Sequence, residues 1–240
     1  AHLHTEKEAG NTTVALETVA PYKFEPDNSA ARLRDLPRTL ALQMLNRRLS
    51  VLAKQPGAPF LSGLVGVTEQ FDFFRNASIE LNCRPDQWSA ALAVAEQELR
   101  RALEHGFLPE ELAEAVAGME NQFAQAVRTA PTRRSPTLAD ALVDDILGRE
   151  VTLAPAAELA LYSPALATST PADCLAALRA TWSEAAGRKL FVSGNLELPG
   201  AAQKIAAAYQ TSQRTPVSPP VPTATAAFAS AGGAVGSRSH

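Results

Sequence analysis

The chain has 240 residues, 46% of them hydrophobic, which is enough to bury a substantial core as one large domain or one domain plus a tail. A net charge of -3 and a pI near 5.9 exclude the basic face of a nucleic-acid binder. The longest apolar runs are short and alanine-rich, so no membrane span is expected, and no charged segment followed by an apolar one marks a leader at the start.

In chain order, Val14 to Val19 alternates and reads as a first strand. Ala30 to Lys54 comes next as a long helix, with Leu33, Leu36, Leu40, Met44 and Leu52 on one side. Pro37 is expected in its first turn. Ser62 to Thr68 and Ala77 to Cys83 read as two paired strands, joined through the aromatic cluster Phe71, Phe73 and Phe74. In the second strand Ala77, Ile79, Leu81 and Cys83 form the apolar side, opposite Ser78, Glu80 and Asn82. Helices are expected at 86 to 105, 109 to 129, 135 to 148, 155 to 161 and 171 to 185. A strand from Arg188 to Ser193 and a helix from Gly200 to Gln210 complete the body.

The junction between the second and third helices carries the most information. Leu92, Ala95, Leu99 and Leu103 recur at helical spacing before Gly106, and Leu112, Val116, Met119 and Phe123 do so after Pro109. Gly106 can close one helix in a left-handed conformation, and Pro109 presets the dihedral that opens the next. Beyond Arg214 the composition changes to a proline-rich run, Thr215 to Pro222, and then a glycine- and alanine-rich tail. The expected organisation is one domain over 1-212 and a linker over 213-240.

The order of elements fits an α+β two-layer sandwich, in which a mostly antiparallel sheet carries helices on one face and leaves the other free for a partner. Four short segments share a further resemblance. They are the Gly106-Phe107 junction with Glu111 and Leu112, the stretch from Leu40 to Phe60 containing Asn46, Arg48 and Leu49, the run Arg134-Ser135-Pro136 with Leu138-Ala139, and Lys189 to Leu196. Together they resemble the insulinase-like (M16, pitrilysin) zinc metallopeptidases over residues 12 to 200. That family's catalytic signature, H-x-x-E-H on a helix, is missing here: the four histidines are His2, His4, His105 and His240.

The resemblance therefore implies the second, non-zinc domain of a half of such a peptidase, with no catalytic and no metal-ligating residue of its own and zinc held in the parent enzyme. Implied partners are a preceding zinc-binding domain, a second half or subunit, and a peptide substrate. The alternative is a scaffold or assembly subunit that has lost peptidase chemistry. Ala1 in place of a methionine and a next-half-like run from Ala227 to Val235 read as a piece of a longer polypeptide. The bacterial relatives imply a periplasmic or secreted location.

Among chemical candidates, Arg133 and Arg134 stand at a helix entry, where two guanidinium groups could hold a peptide carboxylate or an acidic partner surface. The alternative for them is ion pairing with Asp140, Asp144 or Asp145. Those three carboxylates read as a solvated helix face, since no glycine turn or carbonyl-rich loop accompanies them. Arg48 is expected to be structural. Ser135 has no histidine and no nucleophile elbow beside it. Cys83 and Cys174 read as buried thiols, with pairing left open because spacing does not fix their approach.

Overall fold

The computed structural model describes residues 1-183 and 187-221. Five strands form one sheet: β1 (His2–Thr5), β2 (Thr12–Pro21), β3 (Ser62–Gln70), β4 (Phe74–Cys83) and β5 (Lys189–Gly194). Their order is β1-β5-β2-β4-β3, antiparallel throughout except for the parallel pair β1 and β5. The helices are α1 (Ser29–Ala53), α2 (Trp88–His105), α3 (Pro109–Thr129), α4 (Ser135–Gly148), α5 (Pro155–Thr168), α6 (Pro171–Thr181) and α7 (Ala201–Gln213). The chain is thus an α+β sandwich with helices on one sheet face.

The period of two in β2, β4 and β5 places Val14, Leu16, Ala77, Ile79, Leu81, Leu190 and Val192 on that face, where all are buried. Directly above lie α1 over β3, α2 over β2 and β4, and α7 over β1 and β5. Helices α3, α5 and α6 form an outer tier, with α3 on α5 and α6 on α1. Phe123 and Tyr162 stack at 5.2 Å between α3 and α5. Leu40, Leu45, Leu49, Leu92 and Leu99 fill the space between sheet and helices. Each such side chain, fully buried, contributes about 1.5 to 3 kcal/mol.

Several expectations are corrected. Helix α1 starts at Asn28, whose side chain accepts from the Ala31 amide at 2.9 Å, so Pro37 falls inside the helix and not in its first turn. Burial of Leu36, Leu40, Ala41, Met44 and Leu45 around it holds the helix across the missing amide. The strands of the β3/β4 hairpin run to Gln70 and from Phe74, so the tight turn between them centres on Phe71 and Asp72. Both have left-handed φ, 53° and 59°, and Phe73 donates its amide to the Gln70 carbonyl at 3.2 Å. This is a mirror-image turn built without the glycine that such turns favour. Helix α5 continues through Pro164 to Thr168, and α6 ends at Thr181, with residues 184 and 185 of its expected span outside the described ones. Strand β1 is an addition to the elements read from the sequence.

At the α2–α3 junction Gly106 closes α2 with its amide on the Ala102 carbonyl at 2.9 Å. Its φ is 73° but its ψ is -145°, so it occupies the extended positive-φ region that only glycine enters freely, not the left-handed helical one. Arg48 of α1 then reaches across: Nε and one terminal nitrogen grip Glu111 at 2.6 and 2.7 Å, and that same nitrogen donates to the Gly106 carbonyl at 2.9 Å. Glu111 in turn accepts the Leu108 amide at 2.8 Å, capping α3. The guanidinium also lies 5.1 Å from the Phe107 ring centre. Residues far apart in sequence thus share one half-buried knot.

Replacing Arg48 by alanine leaves the Glu111 carboxylate without its cation and the Gly106 carbonyl without its donor. The expected loss is about 3 kcal/mol in urea unfolding. Lysine, which cannot bridge two acceptors in a planar fork, should recover only part of it.

Candidate functional site

The sheet face away from the helices is the first candidate surface. Register places His2, Phe191, Ala15, Glu80 and Leu64 in one row across all five strands, and His4, Ser193, Thr13, Asn82 and Ser62 in the next. A third row holds Lys189, Glu17, Ser78 and Gly66. The side chains are small or polar, apart from Phe191, which His2 meets edge-on at 5.9 Å, and Leu64, 62% exposed at the edge. Such a face offers donors and acceptors over a shallow floor and keeps its water. It has little apolar area with which to dock a rigid partner.

Glu17 sits on this face with its pKa raised, first by partial burial and second by the Glu80 carboxylate, against opposing contributions from Asn76 and Lys189. Ser78 donates to Glu80 at 3.1 Å.

The second candidate surface lies on α4. This helix packs substantially on no other element, and none of its residues is buried. Yet Leu138, Leu142, Val143, Ile146 and Leu147 project from one half of its circumference, and Ile146 and Leu147 are 72% and 76% exposed. Beyond its C-terminus Arg149, again with a left-handed φ of 57°, pairs with Asp72 in the β3/β4 turn and lies 3.9 Å from the Phe24 ring centre. Phe71, Asp72 and Arg149, the three non-glycine residues with positive φ among the described residues, therefore meet at one point. Phe71 and Phe73, 80% and 63% exposed, extend the apolar surface there. The i, i+4 pairs of α4 are visible in the sequence, but periodicity does not tell whether an apolar face is covered by its own domain.

Arg133 and Arg134 stand in the loop entering α4, both exposed. They form no ion pair with Asp140, Asp144 or Asp145 among the described residues; Asp145 instead accepts from the Thr152 hydroxyl at 2.6 Å. The acidic trio lies on the exposed helix. Among the described residues no group of His, Cys, Asp and Glu side chains gathers as metal ligands. Among the described residues no arrangement fits the zinc of the peptidases resembled. Cys83 and Cys174 are free and buried, and burial pushes both thiols up to about 11, which leaves neither as a nucleophile near neutrality. His105, at the end of α2, is engaged with the Val217 carbonyl at 3.1 Å.

This arrangement of sheet and helices has counterparts among solved structures. The first half of the periplasmic protease PqqL from Escherichia coli matches with a TM-score of 0.77 at 17% identity, over 91% of this chain and 47% of that one. A predicted insulinase family protease from Yersinia pestis matches with a TM-score of 0.74 at 17% identity, over 88% of this chain and 45% of that one. The peptidase M16 inactive domain from Pseudomonas fluorescens matches with a TM-score of 0.55 at 13% identity, over 81% and 44%. No protein-family model matches the sequence, and no curated protein does. The fold is that of domains in insulinase-family M16 proteases, and this chain spans less than half the length of those three relatives. No helix among the described residues is long and apolar enough to cross a membrane.

The electrostatics of the sheet face give a pH-dependent expectation. Because the folded-state pKa of Glu17 is raised, the folded protein holds this proton more tightly than the unfolded chain. The penalty is absent below the ordinary value of 4.5 and fully present above the folded pKa, so it grows as pH rises through that window. Glu17→Gln should therefore stabilise the protein by a few tenths of a kcal/mol at pH 7. The gain should vanish below pH ~4 in paired urea titrations.

Proposed function

We propose that this chain is a non-catalytic, substrate-enclosing domain of an insulinase-like zinc metalloendopeptidase. The observation that carries the reading is the coincidence of an M16-protease fold with a sequence lacking H-x-x-E-H. The body comprises residues 1-212, and 213-240 leads towards a following half. Zinc and the general base belong to a companion domain, where metal-activated water would attack the peptide. This domain supplies a wall. Its small, polar sheet face suits a water-filled chamber in which an extended peptide is held loosely by main-chain hydrogen bonds.

The α4 surface is assigned to the companion domain. A helix of this length is marginal alone and owes its stability to packing, yet α4 buries nothing within its own domain. Its exposed apolar side chains, with Phe71 and Phe73, form a surface of the kind that interfaces between domains bury. Arg133 and Arg134 border that surface and take a carboxylate, from the partner or from the peptide terminus. A periplasmic or secreted setting accords with the named periplasmic relative.

Two measurements test the reading. The isolated chain should leave an unfolded, fluorescently quenched peptide intact, while the polypeptide joining it to the zinc domain should cleave that peptide in a chelator-sensitive way. Cleavage by this chain alone sinks the proposal, and a joined polypeptide inert under all conditions favours the scaffold alternative. Separately, Ile146→Lys with Leu147→Asp should shift the unfolding free energy of this chain by no more than about 0.5 kcal/mol. The same pair should abolish co-purification with the companion domain. A large loss of stability in the chain alone would instead make α4 part of its own core.

A further inference from the structure

The run after α7 is not free of the body. Residues 216-221 form neither helix nor strand, yet the Val217 and Ser218 carbonyls, with that of Thr215 just before them, are taken up by side chains of α2. Arg100 donates to the Thr215 carbonyl at 2.7 Å and to the Ser212 carbonyl at 3.2 Å. The Arg101 guanidinium donates to the Ser218 carbonyl, and His105 Nε2 donates to the Val217 carbonyl at 3.1 Å. Downstream, Ser218, Pro219, Pro220 and Val221 form one wall of an open cavity of about 330 Å³, with Val51 and Leu52 of α1, Arg47 and Glu114 among its other lining residues, and Val221 itself is 80% exposed.

This arrangement matches the chemistry of a proline-rich segment. Proline lacks an amide proton and fixes φ, so an extended run such as Thr215 to Val221 presents unpaired carbonyls and apolar rings at little entropic cost. A receptor for it needs side-chain donors spaced along one face and an apolar trough beside them. Arg101 and His105, four apart on α2, are the donors, and Val51 and Leu52 line the cavity beside them. Arg100 is fixed for its part by Glu96, which is buried and held at 2.7 Å, with Ser212 bonded to the same carboxyl group at 2.5 Å.

We propose that the row of donors Arg100, Arg101 and His105 on α2 is a binding site for proline-rich extended segments, occupied in this chain by its own Thr215–Val221. The segment leading out of the 1-212 body is then held as a strap along α2 before it continues. This goes beyond the peptidase reading and stands on different residues.

The test uses the whole chain. Arg214 lies just before the strap, and the next arginine downstream is Arg238, so tryptic cut at Arg214 reports release of the strap. Arg101→Ala with His105→Ala, and separately Pro219→Ser with Pro220→Ser, should each speed that cut about tenfold, the proline pair at unchanged melting temperature. A synthetic peptide of residues 215-222 should bind the Pro219→Ser, Pro220→Ser variant saturably and slow no cut in the Arg101→Ala, His105→Ala variant. Equal cleavage rates in the native chain and both variants overturn the strap. Failure of the peptide to bind overturns the wider claim of a proline-rich site. Neither outcome touches the peptidase proposal, which is read out by hydrolysis.

Discussion

The fork of Arg48 on Glu111 is the contact on which the rest of the arrangement turns. A helix end leaves carbonyls without partners and a helix start leaves amides without them, and the α2–α3 turn has to satisfy both within three residues. One ion pair does so: the cation takes the last carbonyl at Gly106, and the carboxylate takes the amide at Leu108. Because Arg48 itself belongs to α1, the turn is fixed against the helix that covers β3. Its position also orients the end of α2, and with it Arg101 and His105.

One outer surface departs from the usual pattern. A one-sided antiparallel sheet normally turns polar residues to water, as this one does, while the helices covering it should turn polar residues outwards as well. Most of these helices comply, but α4 does not. Its apolar half stays exposed, with Arg149 bound to Asp72 and Phe24 just beyond its end. A positive φ is uncommon in any residue but glycine and costs free energy, and here three such residues converge to aim an apolar surface at solvent.

The core of the fold is legible in the sequence because burial and periodicity coincide in it. Strands β2 and β4 alternate cleanly, α2 and α3 each carry one stripe, and Gly106 and Pro109 punctuate the turn. The features that escape such a reading have a physical reason in each instance. His-Leu-His-Thr in β1 has too few residues for a period to emerge, and the strand exists only because β5 offers it a parallel edge. Pro37 reads locally as a helix start, but the Asn28 cap and the surrounding leucines extend the helix across it. The Phe71-Asp72 turn lacks the glycine that would have announced it. Of the candidate site, Arg133 and Arg134 stand out in the sequence as paired cations, whereas the apolar half of α4 does not, since its pattern is the same whether a helix is covered or bare.

The proline-rich run shows how composition misleads about order. A segment that cannot form helix or sheet is taken for a tether because its backbone lacks internal hydrogen bonds, yet that lack leaves its carbonyls free for donors elsewhere. Here the donors stand on the flanks of α2, outside its buried stripe. The helix is gripped from below by Val14, Leu16 and Ile79 in the core and from above by the strap, and the groove beside it is closed by the residues that form the Arg48 knot. Beyond α7 the chain thus returns to the junction that organises its middle, so that loosening the knot would loosen the strap, while removing the strap would leave the knot intact.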